Sequence, residues 1–169
     1  MYKGNSFYEH VLVAIDLSKH SDIPMQKAMQ LALQYGASLD VIHVISMAIP
    51  YYSYTFSTEI QDAVYSDAKL HFVKFCEQYG ISKERQHLLI GSPKLQIIDL
   101  VEKLKTDLLI VGSHGDQHML PATFGSTASS LVAKAKCDVL TVTIHPTSVC
   151  SCNKLHTHAT QHESEDITA

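Results

Sequence analysis

The 169 residues include 46% hydrophobic side chains, 13 Lys and Arg against 17 Asp and Glu, and a net charge of −4. That is apolar chain enough for one domain with a real core, and without a basic block it gives little support to nucleic-acid or anionic-membrane binding. No apolar run approaches membrane-spanning length and Met1 to Asn5 lacks the core of a signal peptide, so a cytoplasmic chain is expected.

The first strand reads from His10 to Ile15 and ends at Asp16. Ser21 stands where it can cap a helix, and Met25, Ala28, Met29, Ala32 and Leu33 trace an apolar stripe along it. Gly36 stops that helix. A second strand, Leu39 to Ile45, is β-branched and apolar apart from His43. Residues 46–57 form an aromatic connector without a period, readable as a flap over a ligand or as a loop packing its own rings. A second helix follows from about Thr58 to Tyr79, with Ile60, Val64, Ala68, His71, Phe72 and Phe75 on one side and Gly80 at its end.

The third strand runs from His87 to Ile90 and leads through Gly91 and Ser92 to Pro93, well placed in a first helical turn. Ile97, Ile98, Val101 and Leu104 mark the third helix, and Asp107 to Val111 the fourth strand. The fourth helix begins at Gly125, with Ala128, Leu131, Val132 and Ala135 at helical spacing. In the fifth strand, Val139 to Ile144, Leu140, Val142 and Ile144 alternate with Thr141 and Thr143, the pattern of a sheet edge. Strands alternating with helices imply parallel pairing with right-handed crossovers, an α/β fold.

Chemistry concentrates between the fourth strand and the fourth helix. Gly112, Gly115 and Gly125 follow the spacing Gly-x2-Gly-x9-Gly, with Ser126 and Thr127 immediately after. Glycines at a strand exit let backbone approach a ligand closely. A Gly-Ser-Thr helix start offers free N–H groups, hydroxyls and the positive end of the helix dipole, which suits an anion such as phosphate. The alternative is a tight turn with an N-cap.

This motif, with the opening strand from His10 to Ser18, resembles the universal stress protein family over residues 8–145. The resemblance implies one open five-stranded parallel sheet, order 3-2-1-4-5, with helices on both faces in Rossmann-like fashion. It implies a domain over residues 1–145 and leaves 146–169 as a flexible tail. That order puts the first and fourth strands side by side at the switch point where ligands bind in open α/β sheets. By the same resemblance, ATP or AMP binds there, with Mg2+ accompanying the phosphates. Asp16 takes the ribose, or caps the loop into the first helix. Ala14 and Val44 border the adenine, and Gly112, His114, Gly115, Gly125, Ser126 and Thr127 surround the phosphates.

Many nucleotide-binding members carry a basic residue directly after the second glycine, where this chain has Asp116. The opening strand also resembles a subfamily that lacks the glycine motif. The leading reading is a nucleotide-binding sensor or regulatory module of the stress response, homodimeric through the fifth strand. The alternatives are a dimeric interaction protein that binds no nucleotide, and a weak ATPase. No P-loop, nucleophile elbow or loop lysine is present, so no catalytic residue is assigned and an enzyme is not expected.

Cys76 and Cys137 read as buried, reduced small hydrophobes. Cys150, Cys152, His156, His158 and His162 lie in the tail, which is poor in large apolar residues. Two readings stay open for it: a solvated polar tail, or soft ligands for zinc or cuprous copper at a spacing unlike a zinc finger's. No metal ligand is assigned.

Overall fold

The computed structural model describes residues 7–46, 58–113 and 125–143. Five strands alternate with four helices: β1 (His10–Ile15), α1 (Asp22–Tyr35), β2 (Ser38–Ile45), α2 (Thr58–Gln78), β3 (Gln86–Ile90), α3 (Pro93–Leu104), β4 (Leu108–Gly112), α4 (Ser126–Lys134) and β5 (Asp138–Val142). All four pairings are parallel, and the sheet order is β3-β2-β1-β4-β5, as expected. A short 3-10 turn, Lys83–Arg85, precedes β3 and had no clear signal in the sequence.

Strand alternation sorts the core into two layers. Val11, Val13, Ile15, Val41, Leu108 and Ile110 face Met25, Ala28 and Ala32 of α1 and Phe72 and Cys76 of α2. Leu12, Ile42, Val44, Leu109 and Val111 face Ile97, Leu100 and Val101 of α3 and Ala128 and Leu131 of α4. The central strands β1 and β4 are buried on both faces, hence their unbroken apolar runs. β5 has only β4 beside it among the described residues, so it is an edge.

Three details differ from the sequence reading. Leu33 is 86% exposed and Met29 is only partly covered, because α1 seats its small alanines on the sheet and turns these two away. α2 docks through Phe72, Phe75, Cys76 and Tyr79, while Val64 and His71 lie on the solvent side. On α4, Val132 is exposed and only Ala128 and Leu131 are buried. Helical period identifies a face only to within a residue or so when polar and apolar side chains are interleaved.

At the amino ends of the strands, Asp40 of β2 is buried and ties three strands together. Its Oδ2 meets His10 Nε2 at 2.7 Å and Arg85 Nη1 at 3.0 Å, and its Oδ1 meets His87 Nε2 at 2.7 Å. His10 reaches Leu104 O at the end of α3 with its other nitrogen, at 2.9 Å. Burial alone would raise the Asp40 carboxyl, but hydrogen bonds from His87 and His10 outweigh it and hold the group below its ordinary value. Cys76 is buried and burial pushes its thiol to about 12, leaving it inert; Cys137 is half-buried and its thiol is also raised by burial.

Candidate functional site

The site follows from where the chain leaves the sheet. β1 and β4 are neighbours, with Ala14 opposite Val111. From β1 the chain passes to α1 on one face, and from β4 it passes to α4 on the other. Two connections that part to opposite faces leave a crevice beyond the carboxyl ends of the strands.

Asp16 stands at the first of those ends and is exposed. Its Oδ1 accepts hydrogen bonds from Ser18 N at 3.0 Å and Ser21 Oγ at 2.9 Å. The carboxylate therefore does cap the turn into α1, and that reading of Asp16 holds. Ser21 occupies the N-cap position but makes no side-chain cap bond of its own, because its hydroxyl is spent on Asp16. Asp16 is exposed and the bonds from Ser18 and Ser21 both go to Oδ1, so among the described residues the carboxylate keeps a second acceptor, Oδ2, open to solvent. Leu17, next in the chain, has φ of 59°, a left-handed conformation uncommon for a leucine.

Gly112 closes β4 opposite Val142, and Ser113 N donates to Val142 O at 2.8 Å. Gly125 N in turn donates to Ser113 O at 2.8 Å, which fastens the start of α4 to the end of the sheet. Gly125 is the N-cap, and its carbonyl accepts the first helical bond from Ser129 N at 3.0 Å. The N–H groups of Ser126, Thr127 and Ala128 consequently have no acceptor within the helix. Ala128 is buried in the core, so the hydroxyls of exposed Ser126 and half-buried Thr127 are the polar side chains of that turn.

Ala14 and Val44 sit one residue before the ends of β1 and β2, and both belong to the layer shared with α3 and α4. The structure thus brings Ala14, Asp16, Val44, Gly112, Gly125, Ser126 and Thr127 to one end of the sheet. His114, Gly115 and Asp116 lie outside the described residues, as do the aromatic connector from Met47 to Ser57 and the Cys/His tail.

The sequence reading passed over His43. Its ring lies at the same end of the sheet, with Nδ1 2.9 Å from Ile15 O and its centroid 6.2 Å from the Phe72 ring. Burial lowers its pKa, against the opposing pull of the Ile15 carbonyl and the Asp16 charge. The available signal was a lone polar residue inside an otherwise apolar strand.

The sequence profile of the universal stress protein family matches residues 7–143. The chain belongs to the universal stress protein family. It is similar to universal stress protein A homolog 1 of Coxiella burnetii, at 39% identity over 139 residues that cover 80% of this chain and 96% of that relative. Among solved structures it resembles the universal stress protein UspA from Lactobacillus plantarum, with a TM-score of 0.66 and 25% identity over 80% of this chain and 97% of that one. It also resembles a universal stress protein solved in complex with cAMP, with a TM-score of 0.53 and 24% identity over 80% of this chain and 97% of that one. Among the described residues, no helix of this family member is long and apolar enough to cross a membrane.

Proposed function

We propose that this universal stress protein binds an adenine nucleotide, ATP or AMP, in the crevice between β1 and β4, and acts as a regulatory or sensor module. The observation that carries the reading is the pairing of complementary groups across that crevice. The second carboxylate oxygen of exposed Asp16 suits ribose hydroxyls, and the first turn of α4 supplies N–H donors and hydroxyls for phosphate. In this reading Ala14 and Val44 border the adenine. Gly112, His114, Gly115, Gly125, Ser126 and Thr127 surround the phosphates, and Mg2+ accompanies them. The relative solved with cAMP supports an adenine nucleotide as the class of ligand.

The protein works in the cytoplasm as a homodimer joined through β5. Nucleotide occupancy, rather than turnover, carries its signal. A second reading, a dimeric interaction protein with no nucleotide, draws on Asp16, whose Oδ1 is already engaged in the turn. Purified protein is heat-extracted and the supernatant analysed for nucleotide, with titration of the stripped protein by ATP and AMP. Recovery or rebinding of an adenine nucleotide supports the first reading, and neither would leave the second.

A further inference from the structure

The corner that carries Asp16 is held from two sides. On its far side the Asp16 carboxylate itself bonds Ser18 N and Ser21 Oγ. On its near side the holding group comes from another strand. Ile15 and His43 are cross-strand partners at the ends of β1 and β2, and the His43 side chain folds over to meet the carbonyl of its own partner at 2.9 Å. A carbonyl only accepts, so Nδ1 must be the nitrogen that carries hydrogen.

The ring is half-buried and covered on one side. It belongs to the face covered by α2 and lies against Phe72, which is 1% exposed. Its burial favours the neutral imidazole, in which Nδ1–H donates and Nε2 keeps its lone pair. The corner also needs holding. Leu17 follows Asp16 directly in the left-handed region at φ 59°, and such a residue persists only where its surroundings over-determine it.

We propose that His43 is a positioning residue for the nucleotide site: its Nδ1–H fixes the Ile15 carbonyl, and so sets the direction in which Asp16 presents its second oxygen to the ribose. This rests on the nucleotide reading and adds to it a path from α2, through Phe72 and His43, to the ribose end of the crevice. His43 touches no ligand in this account. It acts on the backbone one residue before the group that does.

The test compares wild type, His43→Leu and His43→Asn by titration with ATP and with 2′,3′-dideoxy-ATP. Leucine keeps the bulk and removes the donor, whereas the asparagine amide can replace Nδ1–H. One backbone hydrogen bond's worth of positioning predicts an ATP affinity roughly 3- to 10-fold weaker in His43→Leu and largely restored in His43→Asn. The dideoxy nucleotide, with no ribose hydroxyls for Asp16, should bind wild type and His43→Leu alike. Wild-type binding of ATP with an unchanged His43→Leu affinity would overturn this inference alone. Failure of wild type to bind either nucleotide would remove the nucleotide reading and this inference with it. Imidazole 15N spectra of the ligand-free wild type at neutral pH supply an arm independent of binding. A protonated Nδ1 with a bare Nε2 is expected, and the opposite tautomer would refute the hold on Ile15.

Discussion

Replacing Asp40 tests whether the amino end of the sheet is braced by one carboxylate. The group is buried, and three partners converge on it from β1, the turn before β3, and β3 itself. Two of the contacts are 2.7 Å bonds to imidazoles that are themselves 20% exposed. Hydrogen bonds to a charged group contribute about 1.5 kcal/mol or more each. The Arg85 head is 44% exposed, so its contact adds under about 1 kcal/mol. Asp40→Ala removes all three and should cost about 3–4 kcal/mol. Asp40→Asn keeps the shape and one accepting oxygen and should cost about half that, near 2 kcal/mol.

Urea denaturation reads both as a lower midpoint at unchanged slope, a shift of roughly 1 M for the Asn variant. The acid limb supplies a second reading. Because the native Asp40 carboxyl lies below its ordinary value, its contribution is full above about pH 4 and is lost as pH falls through the native value. The gap between wild type and Asp40→Asn should therefore close as pH drops below about 4. A loss under about 0.5 kcal/mol for either variant, or a gap that widens in acid, would refute the brace.

In a parallel ladder alternate residues face the neighbour. Val142 O and Asp138 N bond β4, so the N–H of Thr141 points away from it toward the free edge. Thr141→Pro should then break the proposed homodimer without opening the β4–β5 ladder, and sedimentation of wild type as a monomer at tens of micromolar would contradict the dimer itself. His43 is half-buried, and that burial lowers its pKa, so the unfolded chain binds its proton first. Stability should be fully present above about pH 6.5 and fall as pH drops from there through the native value, and His43→Leu should flatten that slope in urea titrations between about pH 7.5 and 5.

Much of the frame was legible because it is written locally. The double-sided burial of β1 and β4 appears as Val11 to Ile15 and Leu108 to Val111, and the stops at Gly36 and Gly80 mark left-handed positions at φ 66°. That Asp16 and Gly112 end neighbouring strands was not written locally: pattern leaves the strand order open, and the family resemblance supplied it. What stayed hidden depends on contacts distant in the chain. His10, Asp40 and His87 are 30 and 47 residues apart, and only the sheet register brings them together. His43 reaches Ile15 across 28 residues in the same way. Ser21 looked like a cap by type and position, yet its hydroxyl goes to a carboxylate five residues earlier. Leu33 and Val64 fit a helical stripe and are exposed, because where a helix touches the sheet is set by the sheet, not by the helix.

The most direct test of the nucleotide site is equilibrium dialysis of ATP and AMP against wild type and Gly125→Val. Gly125 joins Ser113 to the first turn of α4, and a branched side chain there would fill space that the phosphates need. The account predicts one nucleotide per wild-type chain and an affinity roughly tenfold or more weaker in Gly125→Val, a loss above 1.4 kcal/mol. No binding by wild type, or equal retention by both proteins, would contradict it.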